Sequence, residues 1–271
     1  MSGGLDLLRS RVAFRDRSVA DVLDLALRFL AVQGRAYGKV ALVSLAPLAL
    51  ASSAAGRVFG WGVAWAVALP LALLAEVPFT ILASRLVFEE HVRARDVIAA
   101  AARELPRIAL ARCLSIVLTV VGFAVLVVPG FWVGTVFSFQ TEVMLLERAR
   151  VGPSIGRSQR LADSAFSEVL VAFVVMSLIP LASVLLTDVA GRMLIGELMQ
   201  FRPPQPVWTT GGGVLATLGL FLQVPYLATA RFFLYLNVRT RAEGWDIQTR
   251  FAALAARDDE EPPSVGARVS S

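Results

Sequence analysis

The stretch WAVALPLALLAEVPFTILASRLVF, residues 65–88, decides the fold of this chain. At about 1.5 Å of rise per residue, a helix of this length exceeds the roughly 30 Å hydrocarbon core of a bilayer. It carries one carboxylate near its middle, Glu76, directly before Val77-Pro78. A charge at that depth costs at least ~2.5 kcal/mol unless it is neutralised, paired or hydrated. The stretch therefore predicts a membrane-spanning helix with one polar position that needs an explanation.

The composition of the whole chain supports a membrane protein. The 271 residues are 56% hydrophobic and 17% charged, with a mean hydropathy of +0.68, whereas soluble domains are about 45–50% apolar and about 25% charged. The net charge of +5 could indicate nucleic-acid binding. However, the arginines lie at the ends of apolar segments, as the positive-inside rule predicts. We therefore expect the lipid bilayer and its anionic headgroups as partners, with a protein partner possible and no nucleic acid.

Apolar segments predict an all-α, polytopic membrane protein with six transmembrane helices. Cations in the connections set its orientation: residues 1–39 carry seven, 85–112 six, 148–160 four and 231–268 six, against only three elsewhere. By the positive-inside rule, both termini are predicted in the cytoplasm of a bacterial inner membrane. The predicted spans cover residues 37–55, 65–88, 108–128, 131–146, 169–189 and 214–238.

The spans are predicted to form three helical hairpins, each preceded by an amphipathic helix on the cytoplasmic side. The first of these helices starts at Ser18, which with Asp21 has the spacing of a capping box. The domains predicted are a cytoplasmic N-terminal segment with an amphipathic helix (1–35), a six-helix membrane domain (36–244), and a cytoplasmic amphipathic helix with a disordered tail (245–271).

An internal repeat gives Glu76 a counterpart. The returning helices of the first and third hairpins share a Val-Pro step, preceded by Glu76 in one and Gln223 in the other. Two interpretations stay open for this midplane pair. The side chains can serve as interhelical hydrogen-bonding partners, or they can line a substrate or proton site at broken helices between repeats.

Two further polar groups are predicted. Glu142 lies at a depth similar to that of Arg112 and Arg231, which predicts an intramembrane ion pair of Glu142 with one of them; alternatively, the arginines extend to the headgroups. Below the sixth span, a charged collar is predicted to contact anionic headgroups or a docking partner. The collar consists of Arg239, Arg241, Glu243 and Asp246.

No catalytic pattern is found. The only histidine, His91, and the only cysteine, Cys113, lie in different settings, so neither a Cys/His dyad nor a cysteine metal site is expected. A nucleophile elbow and a phosphate-binding loop are also absent from the sequence. The sequence predicts no enzyme, no metal and no cofactor.

Residues 234–246, LYLNVRTRAEGWD, resemble the closing motif of a bacterial six-helix membrane-domain family, and residues 14–18, 23–24, 146–149 and 157–161 agree with it. That family is the membrane domain attached to some glycerophosphoryl diester phosphodiesterases. The resemblance implies the six-helix architecture. It implies no phosphodiesterase activity, because the sequence contains no catalytic barrel, and Asn237 replaces the usual aspartate of the family.

Two functions follow as hypotheses. The first is a non-enzymatic membrane protein that organises, anchors or assists a partner or an envelope process. The alternative is a small-solute or proton-coupled transporter with a midplane site at Glu76 and Gln223. The surroundings of Glu76 separate them, since a lipid-facing or dry, packed Glu76 without a cavity would exclude transport.

Overall fold

A computed structural model describes residues 18–89 and 91–260, and this part of the chain is all-helical, without strands. The first third contains α1 (Val19–Val32), α2 (Gly34–Phe59), α3 (Trp61–Leu74) and α4 (Glu76–Leu86). The middle contains α5 (Ala94–Val125), α6 (Val127–Val136), α7 (Gln140–Leu146) and α8 (Val151–Ser164). The last part contains α9 (Phe166–Met193) with a π-helical turn (Leu194–Leu198), α10 (Val207–Thr210), α11 (Val214–Leu222) and α12 (Val224–Glu260).

Five stretches of helix are long and apolar enough to cross a membrane: Gly34–Phe59, Trp61–Leu86, Ala94–Val125, Phe166–Leu198 and Val214–Ala242. The surface has the inverted polarity expected of such a protein. Leu42 and Leu222 are about 70% exposed, whereas Glu76 and Glu142 are almost completely buried. In water this pattern is unfavourable, because apolar area is left in contact with solvent. These apolar helices suggest a multi-pass membrane protein.

The first helix begins as the sequence predicts. Ser18 caps α1: its hydroxyl accepts a hydrogen bond from the Asp21 backbone N–H, and the Asp21 carboxylate accepts one from the Ser18 backbone N–H. Val22 and Ala26 are buried on one face of α1, and the helix packs against α12. Asp24 and Arg28 form an ion pair on the exposed face. The capping box therefore fixes the start of a helix with one buried and one charged face.

Three pairs of helices pack side by side: α2 with α3, α5 with α6, and α9 with α11, the last pair being joined through the segment that contains α10. The turn between α2 and α3 uses Gly60 at a φ of +93°, a conformation that costs glycine little. The second helix of each pair ends at a short break, after which another helix begins; we call the two segments together a returning helix. The interruptions lie at Ala75, at residues 137–139 and at Gln223.

The fourth predicted span, residues 131–146, is not one continuous helix. It is divided into α6 and α7, and neither is long enough to cross a membrane alone. A residue from another part of the chain bridges this break: the Ser158 hydroxyl of α8 donates to the Val136 carbonyl and accepts from the Phe139 N–H. This hydroxyl binds two backbone groups that the interrupted helix leaves unpaired.

The other predicted boundaries also shift. The amphipathic stretch expected before the third span is continuous with it, because α5 runs unbroken from Ala94 through Pro106 to Val125. The separate helix predicted after Gly244 is likewise the continuation of α12 to Glu260. The tail predicted to be disordered covers residues 258–271, and its first three residues belong to α12. Residues 1–17, including the family-like residues 14–17, and residues 261–271 lie outside the described residues.

Many of the largest buried side chains follow the three interruptions. The largest fully buried side chains include Phe79 on α4, Phe139 before α7, and Phe232 and Tyr235 on α12. Tyr37 of α2 is hydrogen-bonded to Thr229 of α12 at 2.8 Å, so residues 192 positions apart are joined in this core. This packing holds α4, α7 and α12 against one another next to Glu76.

Candidate functional site

Glu76 is the centre of a buried ion cluster. It is the first residue of α4, and only 2% of its surface is exposed. Arg112 Nη2 lies 2.6 Å from Glu76 Oε2, and Arg231 donates through Nη1 to Oε2 at 2.9 Å and through Nη2 to Oε1 at 3.2 Å. The Arg231 contact is therefore bidentate, the strongest geometry for this type of pair. The cluster joins α4, α5 and α12.

Each arginine keeps part of its hydrogen-bonding capacity. Arg112 Nε donates to the Thr141 hydroxyl of α7 at 2.9 Å. Within the described part of the chain, Arg112 Nη1 and Arg231 Nε have no hydrogen-bond acceptor. A guanidinium has five N–H groups in a rigid plane, so both arginines can donate to another group without leaving Glu76.

The ion pair predicted for Glu142 is made by Glu76 instead. Glu142 is 1% exposed, its Oε2 has no hydrogen-bond partner, and no described cation lies within 4.0 Å of it. Successive residues on a helix point about 100° apart. Thr141 faces Arg112, and the next side chain is therefore directed elsewhere. Glu142 contributes to the electrostatic field of the arginines without contacting them.

Gln223 lies at the equivalent interruption of the third returning helix, between α11 and α12. Its Nε2 donates to the Leu220 carbonyl at 3.0 Å, and its Oε1 is buried without a partner. Gln223 and Glu76 line the same cavity. The two residues matched by the sequence repeat are thus brought to one site, each next to a helix break.

The cavity has a volume of about 350 Å³ and lies between α3, α5, α6, α9 and the ends of α11 and α12. Gln140 also lines it, and its Nε2 is buried without a partner. The apolar part of its wall includes Leu69, Ile116, Val120, Phe173 and Leu227. The polar part consists of Glu76, Arg112, Ser115, Thr119, Ser138, Gln140, Thr141, Ser177, Gln223 and Arg231.

The chemistry of this cavity fits binding. None of the described residues that line it is a histidine, cysteine or lysine. Within residues 18–89 and 91–260, no group of three or more His, Cys, Asp or Glu side chains could hold a metal ion. The charged groups are guanidiniums and carboxylates in mutual contact, which can orient a polar ligand through hydrogen bonds.

The predicted collar is engaged within the protein. Arg239 donates to the Tyr235 hydroxyl at 3.1 Å and lies 3.9 Å from Glu147, and Arg241 is paired with Glu168. The side chains of Glu243 and Asp246 lie outside the described residues. Sequence reasoning missed Glu147 and Glu168, whose separations of 92 and 73 residues from these arginines give no local signal.

A second set of contacts holds the segment between α9 and α11. Trp65 Nε1 donates to the Gly211 carbonyl at 2.8 Å, and buried Asp188 accepts from the Val207 N–H at 3.2 Å. Arg192 lies over the Trp208 ring, 5.1 Å from its centroid, within the range of a cation–π interaction. These contacts attach the segment to both α3 and α9.

Comparisons of the chain with protein-family models, with curated proteins and with solved structures find no match. The resemblance to the phosphodiesterase-associated membrane domain therefore stays a prediction.

Proposed function

We propose that this chain is a non-enzymatic, multi-pass membrane protein that binds a small solute in the cavity at Glu76 and Gln223 and acts as a transporter or permease. The cavity is the observation that carries the proposal. It lies where two returning helices are interrupted, and binding sites of secondary transporters are typically built at such interruptions between repeats. A carboxylate and an amide at equivalent breaks supply polar groups at the depth where a solute must cross.

The proposed arrangement in the bilayer has six crossings in three hairpins. The helices α2, α5 and α9 lead outward, and the interrupted helices α3–α4, α6–α7 and α11–α12 return. The break between α6 and α7 is compatible with a crossing, because protein groups such as the Ser158 hydroxyl satisfy its backbone. The amphipathic faces of α1 and α8 and both termini would lie at the cytoplasmic side of a bacterial inner membrane, as the cation distribution predicts.

The alternative is the organising or anchoring function. It predicts a dry, packed environment for Glu76, and a cavity of about 350 Å³ beside this residue favours transport instead. The Arg239 and Arg241 guanidiniums, which were predicted to contact headgroups or a partner, also have carboxylate partners within the protein. Anchoring therefore has the weaker support from the geometry.

Cysteine accessibility tests the proposal without knowledge of the solute. Single cysteines would replace Ser115 or Ser138 in a chain with Cys113→Ser, and membrane-impermeant thiol reagents would be applied to right-side-out and inside-out vesicles. A transport site is expected to be labelled from both sides, because its cavity is alternately open to each aqueous phase. Ser52→Cys serves as the control, since Ser52 is fully buried in α2 and does not line the cavity.

Two results would contradict transport. If the cavity cysteines stay as unreactive as Ser52→Cys from both sides, the site is dry and the organising function is favoured. If they react from one side alone under all conditions, the cavity is a binding pocket without alternating access.

A further inference from the structure

We propose that the ligand of this cavity is an anionic amphiphile, with a carboxylate, phosphate or sulfonate group held by Arg112 and Arg231 and an apolar tail along the opposite wall. This inference rests on the proposed binding function and names its ligand class. It depends on three features of the cavity: its charge balance, its unused hydrogen-bond donors, and the position of its apolar wall.

The charge balance favours an anion. Two guanidiniums line the cavity, and both contact the same carboxylate, Glu76. Glu142, the other carboxylate nearby, does not line the cavity and makes no contact with either arginine within 4.0 Å. The surface that a ligand meets therefore carries one more positive than negative group. An anion at this surface can form charge-assisted hydrogen bonds with both guanidiniums, whereas Glu142 acts on them only at longer range.

The unused hydrogen-bonding groups are mainly donors. Arg112 Nη1, Arg231 Nε and Gln140 Nε2 have no acceptor among the described residues, and Gln223 Oε1 is the one lining acceptor that is buried without a donor. Of these groups, Gln140 Nε2 and Gln223 Oε1 are fully buried, where a polar group without a partner is unfavourable. A ligand rich in acceptor oxygens would satisfy the donors, whereas a cation or an amine would leave them unpaired.

The apolar wall reaches the surface of the protein. Leu69, Ile116 and Val120 line the cavity, yet they are 50%, 40% and 59% exposed. They belong to α3 and α5, on the side that the proposed membrane covers. The cavity is thus open toward hydrocarbon at its apolar end, while the arginines lie at its polar end. A molecule with an anionic head and an apolar tail matches both ends, and a fully polar solute matches only one.

A competition experiment tests the ligand class. The protein, purified in an uncharged maltoside detergent, would be loaded with radiolabelled laurate and challenged with unlabelled laurate, dodecanol or acetate. Dodecanol keeps the chain without the charge, and acetate keeps the carboxylate without the chain. Laurate is expected to displace the label at a concentration at least about tenfold lower than either, because each lacks one of the two interactions.

Two substitutions locate the site. Arg112→Gln is expected to weaken laurate binding at least about fivefold, and the bidentate contact from Arg231 keeps Glu76 paired in this variant. Val120→Trp fills the apolar end and is expected to reduce laurate binding by a similar factor without affecting the ion cluster. Val121→Trp is the matched control, since Val121 is 52% exposed but does not line the cavity. If Arg112→Gln does not fold, the comparison of laurate binding between Val120→Trp and Val121→Trp still tests whether laurate occupies this cavity.

The outcomes separate the two proposals. Equal displacement by dodecanol and laurate would overturn the anionic head, and equal displacement by acetate with no effect of Val120→Trp would show a site for free anions. If no laurate binds while cavity cysteines are labelled from both sides, the ligand class is wrong and transport survives. If laurate binds at Arg112 but the cysteines react from one side alone, the ligand class is right and transport is wrong.

Discussion

The segments before and after the helix interruptions differ in what they bury. We call α3, α6 and α11 the open half, and α4, α7 and α12 up to Ala242 the packed half. The α3 helix buries only alanines, whereas α4 buries Phe79, Leu82 and Leu86. Small residues let neighbouring backbones approach but fill little volume. The interruption at Ala75 thus separates an open half beside the cavity from a packed half that closes one end of it. The contrast is weaker in the third pair, because α11 also buries Leu220 and Phe221.

The carboxylate at the boundary between the halves gives the largest predicted effect. Glu76→Gln leaves Arg112 and Arg231 buried without their counterion, and breaking a buried pair in this way typically costs about 3–5 kcal/mol. We expect a loss of that size in the free energy of unfolding, measured by denaturant titration in detergent. Glu142→Gln is the control, and a loss of less than about 1 kcal/mol is expected because Glu142 makes no ion pair. Equal losses would show that both carboxylates hold the cluster.

A leucine pair tests the packing difference itself. Leu82→Ala removes a side chain that is 1% exposed in the packed half and is expected to cost about 2–3 kcal/mol through the cavity it creates. Leu222→Ala, at a residue 70% exposed at the end of the open half, is expected to cost less than about 0.5 kcal/mol. Thermal unfolding of both variants in the same detergent measures the difference. Similar destabilisation would mean that the two halves are equally well packed.

The interruption in the middle returning helix is predicted to depend on one hydroxyl. Ser158→Ala leaves the Val136 carbonyl and the Phe139 N–H without the partner they share, at an expected cost of about 1–2 kcal/mol. Ser154→Ala on the same helix is the control, because the Ser154 hydroxyl donates only to Val151, a residue of its own helix. Urea unfolding, monitored by far-ultraviolet circular dichroism, compares the stabilities of the two variants. A Ser158→Ala variant as stable as Ser154→Ala would show that the break needs no outside partner.

The smallest effect is expected at the far end of the open half. Trp65→Phe removes the donor to Gly211 and should cost about 0.5–1.5 kcal/mol, with faster chymotryptic cleavage at exposed Phe201 in the attached segment. Trp132→Phe is the matched control, since it changes a half-exposed tryptophan of α6 outside this segment. An unchanged cleavage rate in Trp65→Phe would show that Asp188 and Arg192 hold the segment without the indole.

The sequence was informative where the signal is local. Hydropathy and length predicted the apolar helices, the Ser18 capping box predicted the start of α1, and the repeated Val-Pro step singled out Glu76 and Gln223, which the structure places on one cavity. The first two signals depend on residues within a few turns of one another, and the third compares two short motifs in different parts of the chain. Proline lacks an N–H donor, and so the positions of two helix interruptions could be approached from the sequence.

The rest depends on residues far apart in the chain. Arg112 or Arg231 was predicted to pair with Glu142, or else to extend to the headgroups, because depth along the helices was the available measure. The angular position of each side chain decides the contact, and both arginines contact Glu76. The break between α6 and α7 is bridged by Ser158 of another helix, and Glu147 and Glu168 were not foreseen as partners of Arg239 and Arg241. Tertiary packing determines which of these side chains contact one another, and the periodicity of the sequence does not reveal such contacts.

The ion cluster also has a consequence for biosynthesis. Its three members come from the first, second and third parts of the chain, and Arg231 follows Glu76 by 155 residues. A ribosome therefore synthesises the carboxylate first. The first cation, Arg112, follows 36 residues later, and the bidentate cation, Arg231, comes only with the last long helix. Until then the core lacks its full charge neutralisation. Closure of the bundle thus depends on complete synthesis. In a chain truncated before α12, Glu76 would lack Arg231, and we expect proteases that remove unfinished proteins to degrade such a chain.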